Sequence, residues 1–258
     1  MSYIEQNKAA WKRLSRSTRI ATDEECRNPL GALDPRGWLP DSVDGLDVLC
    51  LAAGGGRQSI LYALSGAKVT VVDVSPAMLQ LDSREARKRD VEIKTVCASM
   101  ESLPMLEDAR FDIVHHPVST CYVPDLTPVY EEVSRLLRDD GIYIGQHKQP
   151  TILQIAAATV RGEYALGIEY YHRGPLPDAA GAMYREKGAT EYLHRWEDLI
   201  GGLCRAGLWI EDMREPYWGD PSAPPGKKAH RCRYAAPYVR VKARRRPREK
   251  PEKVSIVR

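Results

Sequence analysis

The rhythm of apolar and polar positions changes three times along the chain. Residues 1–20 place Ile4, Ala9, Ala10, Trp11 and Leu14 at near-helical spacing, which predicts a first helix. Residues 21–45 are punctuated by Pro29, Gly31, Pro35, Gly37, Pro40 and Gly45 and predict a loop. From residue 46 onward, short β-branched runs alternate with amphipathic ones. Strands are predicted at 46–51, 68–73, 91–96, 111–115 and 142–145, with helices from 59–64, 76–89 and 128–137 between them. Ser75 and Pro76 read as the N-cap and first residue of the second of these helices, and Asp139-Asp140-Gly141 as the stop of the third.

After Pro150 the alternation breaks. Residues 152–160 are apolar and predict a short helix, followed by an irregular stretch rich in Tyr, Gly and Pro. A helix at 196–206 and strands at 208–212 and 238–242 close the pattern, the last two separated by a long loop over 216–230. Strands separated by helices require right-handed crossovers, so the fold class is α/β, a mostly parallel sheet with helices on both faces.

A doubly wound sheet binds ligands at the carboxyl ends of its strands, where strand order reverses. Gly54-Gly55-Gly56 closes the first strand, and glycine lets a backbone approach a ligand without an intervening Cβ. The helix start behind it is expected to present free N–H groups. Asp73 ends the second strand, where a carboxylate can accept both hydroxyls of a ribose. The G-x-G-x-x-S spacing of Gly54 to Ser59 fits adenine nucleotides in general, and a purely structural glycine turn is its bland alternative.

The order of segments is more specific. A run ending Ala52-Ala53-Gly54-Gly55-Gly56 is followed by Val71-Val72-Asp73, then by Cys97-Ala98-Ser99-Met100. Leu103-Pro104, Phe111-Asp112-Ile113-Val114, and a helix ending Arg135-Leu136-Leu137-Arg138 before Gly141 complete the series. It resembles the class I S-adenosylmethionine-dependent methyltransferases, in their small-molecule, type 11 branch. The resemblance spans residues 46–147 and implies a Rossmann-like seven-stranded sheet whose last strand is antiparallel. It implies in-line transfer of a methyl group from S-adenosyl-L-methionine to a small-molecule acceptor. Carried over position by position, Ala52, Ala53, Gly54 and Gly56 lie under the methionine part of the cofactor, and Asp73 holds the ribose. Val74, Ser99 and Met100 meet the adenine, and His115 lies beside the methyl group. The chain departs from the family pattern at Cys50, usually an acid, at Ala52, usually glycine, and at Ser99, usually aspartate.

Methyl transfer from a sulfonium needs positioning above all, and a base where the nucleophile carries a proton. His115 and His116 at the end of the fourth strand and His147 just after the fifth are the candidate bases, with capping or packing as their structural alternative. Neighbouring strand residues point oppositely, so only one of His115 and His116 faces the pocket, and His116 is preferred. No Asp, Glu or Cys set at ligand spacing accompanies these histidines, so no metal is expected. Ser119, Thr120 and Tyr122 are placed to order a substrate. Tyr164, Tyr170, Tyr171 and His172 lie where this family builds a substrate lid, and Tyr3 and Trp11 on the first helix are placed to close over the cofactor.

Composition narrows the partners. At 258 residues and 43% apolar content the chain can bury one full core. The organisation expected is an N-terminal helix and lid segment over 1–45, a catalytic domain over 46–242 with a lid insert at about 151–190, and a disordered basic tail over 243–258. Residues 240–258 carry nine of the 38 basic side chains and two of the 35 acidic ones, leaving 29 basic against 33 acidic elsewhere. An enzyme acting on nucleic acid carries its positive field beside the active site, so a nucleic-acid substrate is disfavoured. The basic tail nonetheless keeps an RNA- or protein-directed methyltransferase as an alternative, beside a non-methylating adenine-nucleotide-binding Rossmann protein. Six scattered cysteines without a C-x-x-C pair, and no apolar leader or span, predict a cytoplasmic protein without a membrane partner. A homodimer is compatible with the sequence.

Overall fold

The computed structural model describes residues 2–160, 162–178 and 184–247. Helix α1 (Tyr3–Leu14) opens the chain; its N-cap is Ser2, whose hydroxyl accepts the Glu5 N–H. The expected loop that follows contains two single-turn helices, α2 (Asp23–Arg27) and α3 (Pro29–Leu33). Thr22 and Glu25 form a reciprocal capping box on α2, and the Asn28 side chain with Pro29 starts α3, so local caps sustain helices too short to show a period.

The alternating region follows, as β1 (Asp47–Leu51), α4 (Gln58–Leu64), β2 (Lys68–Asp73), α5 (Pro76–Lys88), β3 (Ile93–Cys97) and β4 (Phe111–His116). Helix α6 (Thr127–Leu136) gives way directly to a long β5 (Leu137–Lys148). Asp139-Asp140-Gly141, read as a helix stop, lies inside that strand, because Leu137 already pairs with Phe111 before a register shift. Asp140 takes up the irregularity at φ 62°.

After α7 (Pro150–Gln154) the chain forms a hairpin of β6 (Ile155–Val160) and β7 (Glu163–Leu166), not the helix expected over 152–160. The alanine run there is ambiguous between helix and strand; Gly162, at φ 83°, supplies the turn that makes pairing possible. A π-helical turn (Glu197–Gly201) runs into α8 (Gly202–Arg205), and β8 (Leu208–Arg214), α9 (Lys228–Arg231) and β9 (Tyr238–Arg245) complete the chain. Strand β9 runs past the boundary expected at 242, because Ala243 is fully buried and Arg244 and Arg245 find partners in Glu211 and the Ser134 carbonyl. The rest of the expected tail, 248–258, lies outside the described residues.

Seven strands form one sheet in the order β3-β2-β1-β4-β5-β9-β8. The neighbours from β3 to β5 are parallel, and β9 runs antiparallel to both β5 and β8. Side chains alternate across it. Leu49 and Leu51 enter the core under α6 and α8, whereas Val48 and Cys50 enter the one under α4. The strand order reverses between β1 and β4, and the carboxyl ends there open the crevice that holds the site. Among the described residues no helix is long and apolar enough to cross a membrane.

Candidate active site

The loop after β1 is held from below. Asp82, fully buried on the inner face of α5, accepts the N–H of Gly55 at 2.7 Å, the N–H of Gly56 at 3.0 Å and the Ser59 hydroxyl at 2.5 Å. Burial pushes its carboxyl up, and these three donors pull against that shift. The N–H groups of Gly55 and Gly56 are therefore committed to Asp82. Its carboxylate lies near enough to Cys50 to raise that thiol further, after burial itself.

Ala52 sits in the left-handed region at φ 47°, which explains why glycine is usual there. Gly54 is needed for a different reason. A Cβ at that position would lie 2.7 Å from Met78 Cβ and 2.8 Å from an Asp73 oxygen. Its N–H instead donates to Asp73 at 2.9 Å, and the Ser75 N–H donates to the other carboxylate oxygen at 2.8 Å. Burial raises the Asp73 carboxyl to about 6 despite these two backbone donors.

Above this floor lies a cavity of about 350 Å³. Of the residues singled out from the sequence, Ala52, Ala53, Gly54, Asp73, Val74, Ser99 and Met100 line it together. Ala98 and Met78 add apolar wall beside Val74 and Met100. Ser99 stands where the family pattern has aspartate, but the next acid, Glu101, also lines the cavity and accepts the Ser99 hydroxyl at 2.8 Å. Gly56 does not line the cavity; a Cβ there would lie 3.1 Å from Glu85 Cγ and 3.3 Å from the Leu81 carbonyl oxygen.

The roof is α1. Tyr3, Ile4, Asn7 and Trp11 line the cavity from above, as expected for Tyr3 and Trp11. The Tyr3 hydroxyl donates to Glu101 at 2.7 Å, and burial with that acid raises its pKa. Asn7, almost fully buried, donates to the carbonyls of Tyr122 and Thr190 and accepts the Thr190 N–H at 2.7 Å. That latch was missed in the sequence, although a polar residue on the buried stripe of α1 is its signature. Ser119 and Tyr122 complete the far side, where the Tyr122 hydroxyl donates to Glu186 at 2.6 Å and Glu186 pairs with the buried Lys148.

The histidines are distributed differently from expectation. His116 and His147 are fully buried and do not line the cavity. His116 Nδ1 is bonded to the Tyr143 hydroxyl at 3.0 Å and His147 Nδ1 to the Thr120 hydroxyl at 3.1 Å, while both Nε2 atoms lack a partner among the described residues. Burial lowers both pKa values, His147 to about 3. They are neutral core side chains, and the geometry offers neither of them a substrate proton. His115 points to the opposite face of the sheet, where its Nδ1 is bonded to the Tyr62 hydroxyl at 2.9 Å and its ring lines a second, adjoining cavity. The expected aromatic lid is also absent from the site. Tyr171 and His172 border a separate surface depression, Tyr170 packs against Tyr171, and Tyr164 is bonded to His230.

Comparison with known proteins agrees with this architecture. Residues 49–145 match the family described as a methyltransferase domain. An uncharacterized methyltransferase, YbaJ, of Bacillus subtilis (strain 168) is 33% identical over 189 residues, spanning 72% of this chain and 74% of that protein. A ubiquinone biosynthesis O-methyltransferase of Xylella fastidiosa (strain 9a5c) is 25% identical, over 72% of each chain. The fold matches the crystal structure of an S-adenosylmethionine-dependent methyltransferase from Mesorhizobium loti, with a TM-score of 0.67 at 23% identity, covering 85% of this chain and all of that one. It also matches geranyl diphosphate C-methyltransferase from Streptomyces coelicolor A3(2), with a TM-score of 0.63 at 16% identity, covering 95% and 98%. The chain belongs to the class I S-adenosylmethionine-dependent methyltransferases.

Proposed function

We propose that the 350 Å³ cavity is the S-adenosylmethionine site and that a small-molecule acceptor meets the methyl group beside Pro117 and Gln146. The observation that carries this reading is the Asp73 carboxylate. It is buried on the cavity floor, and its two oxygens are fixed by backbone donors with lone pairs left for ribose hydroxyls. Val74, Ala98 and Met100 form an apolar slot for adenine, and the Ala52-Ala53-Gly54 turn gives the methionine portion close backbone approach.

Bound there, S-adenosylmethionine would supply an electrophilic methyl group for in-line displacement by the acceptor, with neutral S-adenosylhomocysteine as the leaving group. The protein's part is placement and exclusion of water: α1 roofs the cavity, and Asn7 and Tyr3 tie that roof to the body. With His116 and His147 sealed in the core, the chain's contribution is orientation, and the acceptor's proton leaves by another route than those two rings.

One chain walls the cavity among the described residues, so a homodimer is not needed to complete it. The free cysteines, three of them buried, suit the reducing cytoplasm, where we place the protein. Offering S-adenosylmethionine with a panel of small hydroxy, amino and thiol acceptors, and measuring S-adenosylhomocysteine formed, tests the assignment. Turnover with at least one acceptor that Asp73→Ala abolishes is expected. No turnover, with NAD or ATP bound in preference, would contradict it.

A further inference from the structure

A second cavity, of about 410 Å³, adjoins the first across a wall made by Arg57, Gln58, Pro117 and Gln146. It lies at the carboxyl ends of β4 and β5, on the face of the sheet that carries α3, and His115, Ile144 and Gly145 form part of its lining. Trp38 and Trp218 stand in its wall. Trp38 is held by a hydrogen bond from its indole N–H to Asp212 at 2.9 Å, and Trp218 packs edge-on to Tyr238.

Four arginines line this space, and their partners are unequal. Arg19 and Arg57 share the Glu25 carboxylate, each at 2.8 Å. Arg240, across the sheet from Gln146 on β9, donates its Nε–H to the neutral Gln146 amide oxygen at 2.6 Å. Among the described residues, neither Arg240 nor Arg36 has a carboxylate within ion-pair distance. Asp34 is the acid in the lining, and it accepts the Leu39 N–H at 2.5 Å. Arg240 is half-buried, and burial together with the like charges of Arg36 and Arg57 disfavours its cationic form. Burial lowers His115 to about 4, with Arg57 and Arg240 adding to the shift. Four guanidinium groups crowded in a concave, aromatic-walled site with Asp34 as the one acid in its lining are stabilised by an anionic ligand.

We propose that this second cavity is the acceptor subsite and that Arg36 and Arg240 select an acceptor bearing a carboxylate or phosphate group, with its apolar body against Trp38 and Trp218. The proposal rests on the assignment of the first cavity to the methyl donor, since the shared wall at Pro117 and Gln146 is where the two ligands would meet.

The test is calorimetric titration of the full chain, with and without saturating S-adenosylhomocysteine. The probes are 4-hydroxybenzoate, phenyl phosphate and the neutral 4-hydroxybenzyl alcohol. Tighter binding of at least one anionic probe than of the alcohol is expected, by ten-fold or more, as one charge-assisted contact supplies. Arg240→Met and Arg36→Met should each remove most of that preference while leaving S-adenosylhomocysteine affinity unchanged, which also shows that the variants are folded. Equal binding of all three probes, no binding of any, or an anion preference untouched by both substitutions would overturn the proposal. Failure of wild-type protein to bind S-adenosylhomocysteine would count against the donor site instead, and the titrations without it would still decide the anion preference.

Discussion

The Asp82 carboxylate accepts the Gly55 N–H at 2.7 Å, so a helix side chain holds the turn on which the cofactor site is built. Removing it leaves Gly55 N–H, Gly56 N–H and the Ser59 hydroxyl without a partner in a buried place. Asp82→Ala is therefore expected to cost roughly 3 kcal/mol of stability, read as a lower urea midpoint. Asp82→Asn, which keeps an acceptor oxygen, should cost less. Equal midpoints for wild type and Asp82→Ala would show that the turn holds itself.

Asp73 makes stability and ligand binding respond to pH in opposite directions. Its folded pKa, about 6, lies above the usual carboxylate value, so the native state binds more protons than the unfolded chain between about pH 4 and 6. Its contribution to ligand-free stability is present below that window and lost as pH rises through 6. Affinity for S-adenosylhomocysteine should strengthen over the same rise, because ribose hydroxyls donate best to the ionised carboxylate. Titrations at pH 5 and 7.5 check this, and the dependence should vanish in Asp73→Asn.

Ala52 carries a left-handed backbone at φ 47°. Glycine removes a strain of about 1–2 kcal/mol and returns roughly half of it as chain entropy. Ala52→Gly should stabilise the protein by about 0.5–1 kcal/mol, measured as a rise in urea midpoint. A fall would mean that the methyl group of Ala52 contributes packing that outweighs the strain.

Asn7 fastens the roof to two segments distant in sequence, at Tyr122 and Thr190. Asn7→Ala should leave the sheet intact and loosen α1, weakening S-adenosylhomocysteine about ten-fold, as the loss of one or two net hydrogen bonds implies. Faster amide exchange confined to residues 3–14 would accompany it. Unchanged exchange there would argue that Tyr3 and Trp11 alone seat the helix.

The alternating middle of the chain was legible because its signals are local. β-branched runs, the Pro76 helix start and the acid ending β2 each act within a few residues. Asp82 and Asn7 are harder to read because each is a polar residue on a buried helix stripe. Asp82 shares its stripe with Met78, Leu79, Glu85 and Ala86, and that anomaly was the available signal. Strand alternation showed that His115 and His116 diverge, but not which face carries a cavity, since that depends on where α3 and β9 pack. The hairpin of β6 and β7 rests on pairing across Gly162, a partnership that a run of alanines cannot reveal by itself.

Thermal denaturation of wild type and Asp73→Ala, with and without S-adenosylhomocysteine, tests the central claim most directly. Ligand at about 100-fold above its dissociation constant adds roughly 2.7 kcal/mol, a rise in Tm of roughly 5 °C for a domain of this size. That rise is expected in the wild type and none in Asp73→Ala. No rise in the wild type, or the same rise in both, would contradict it.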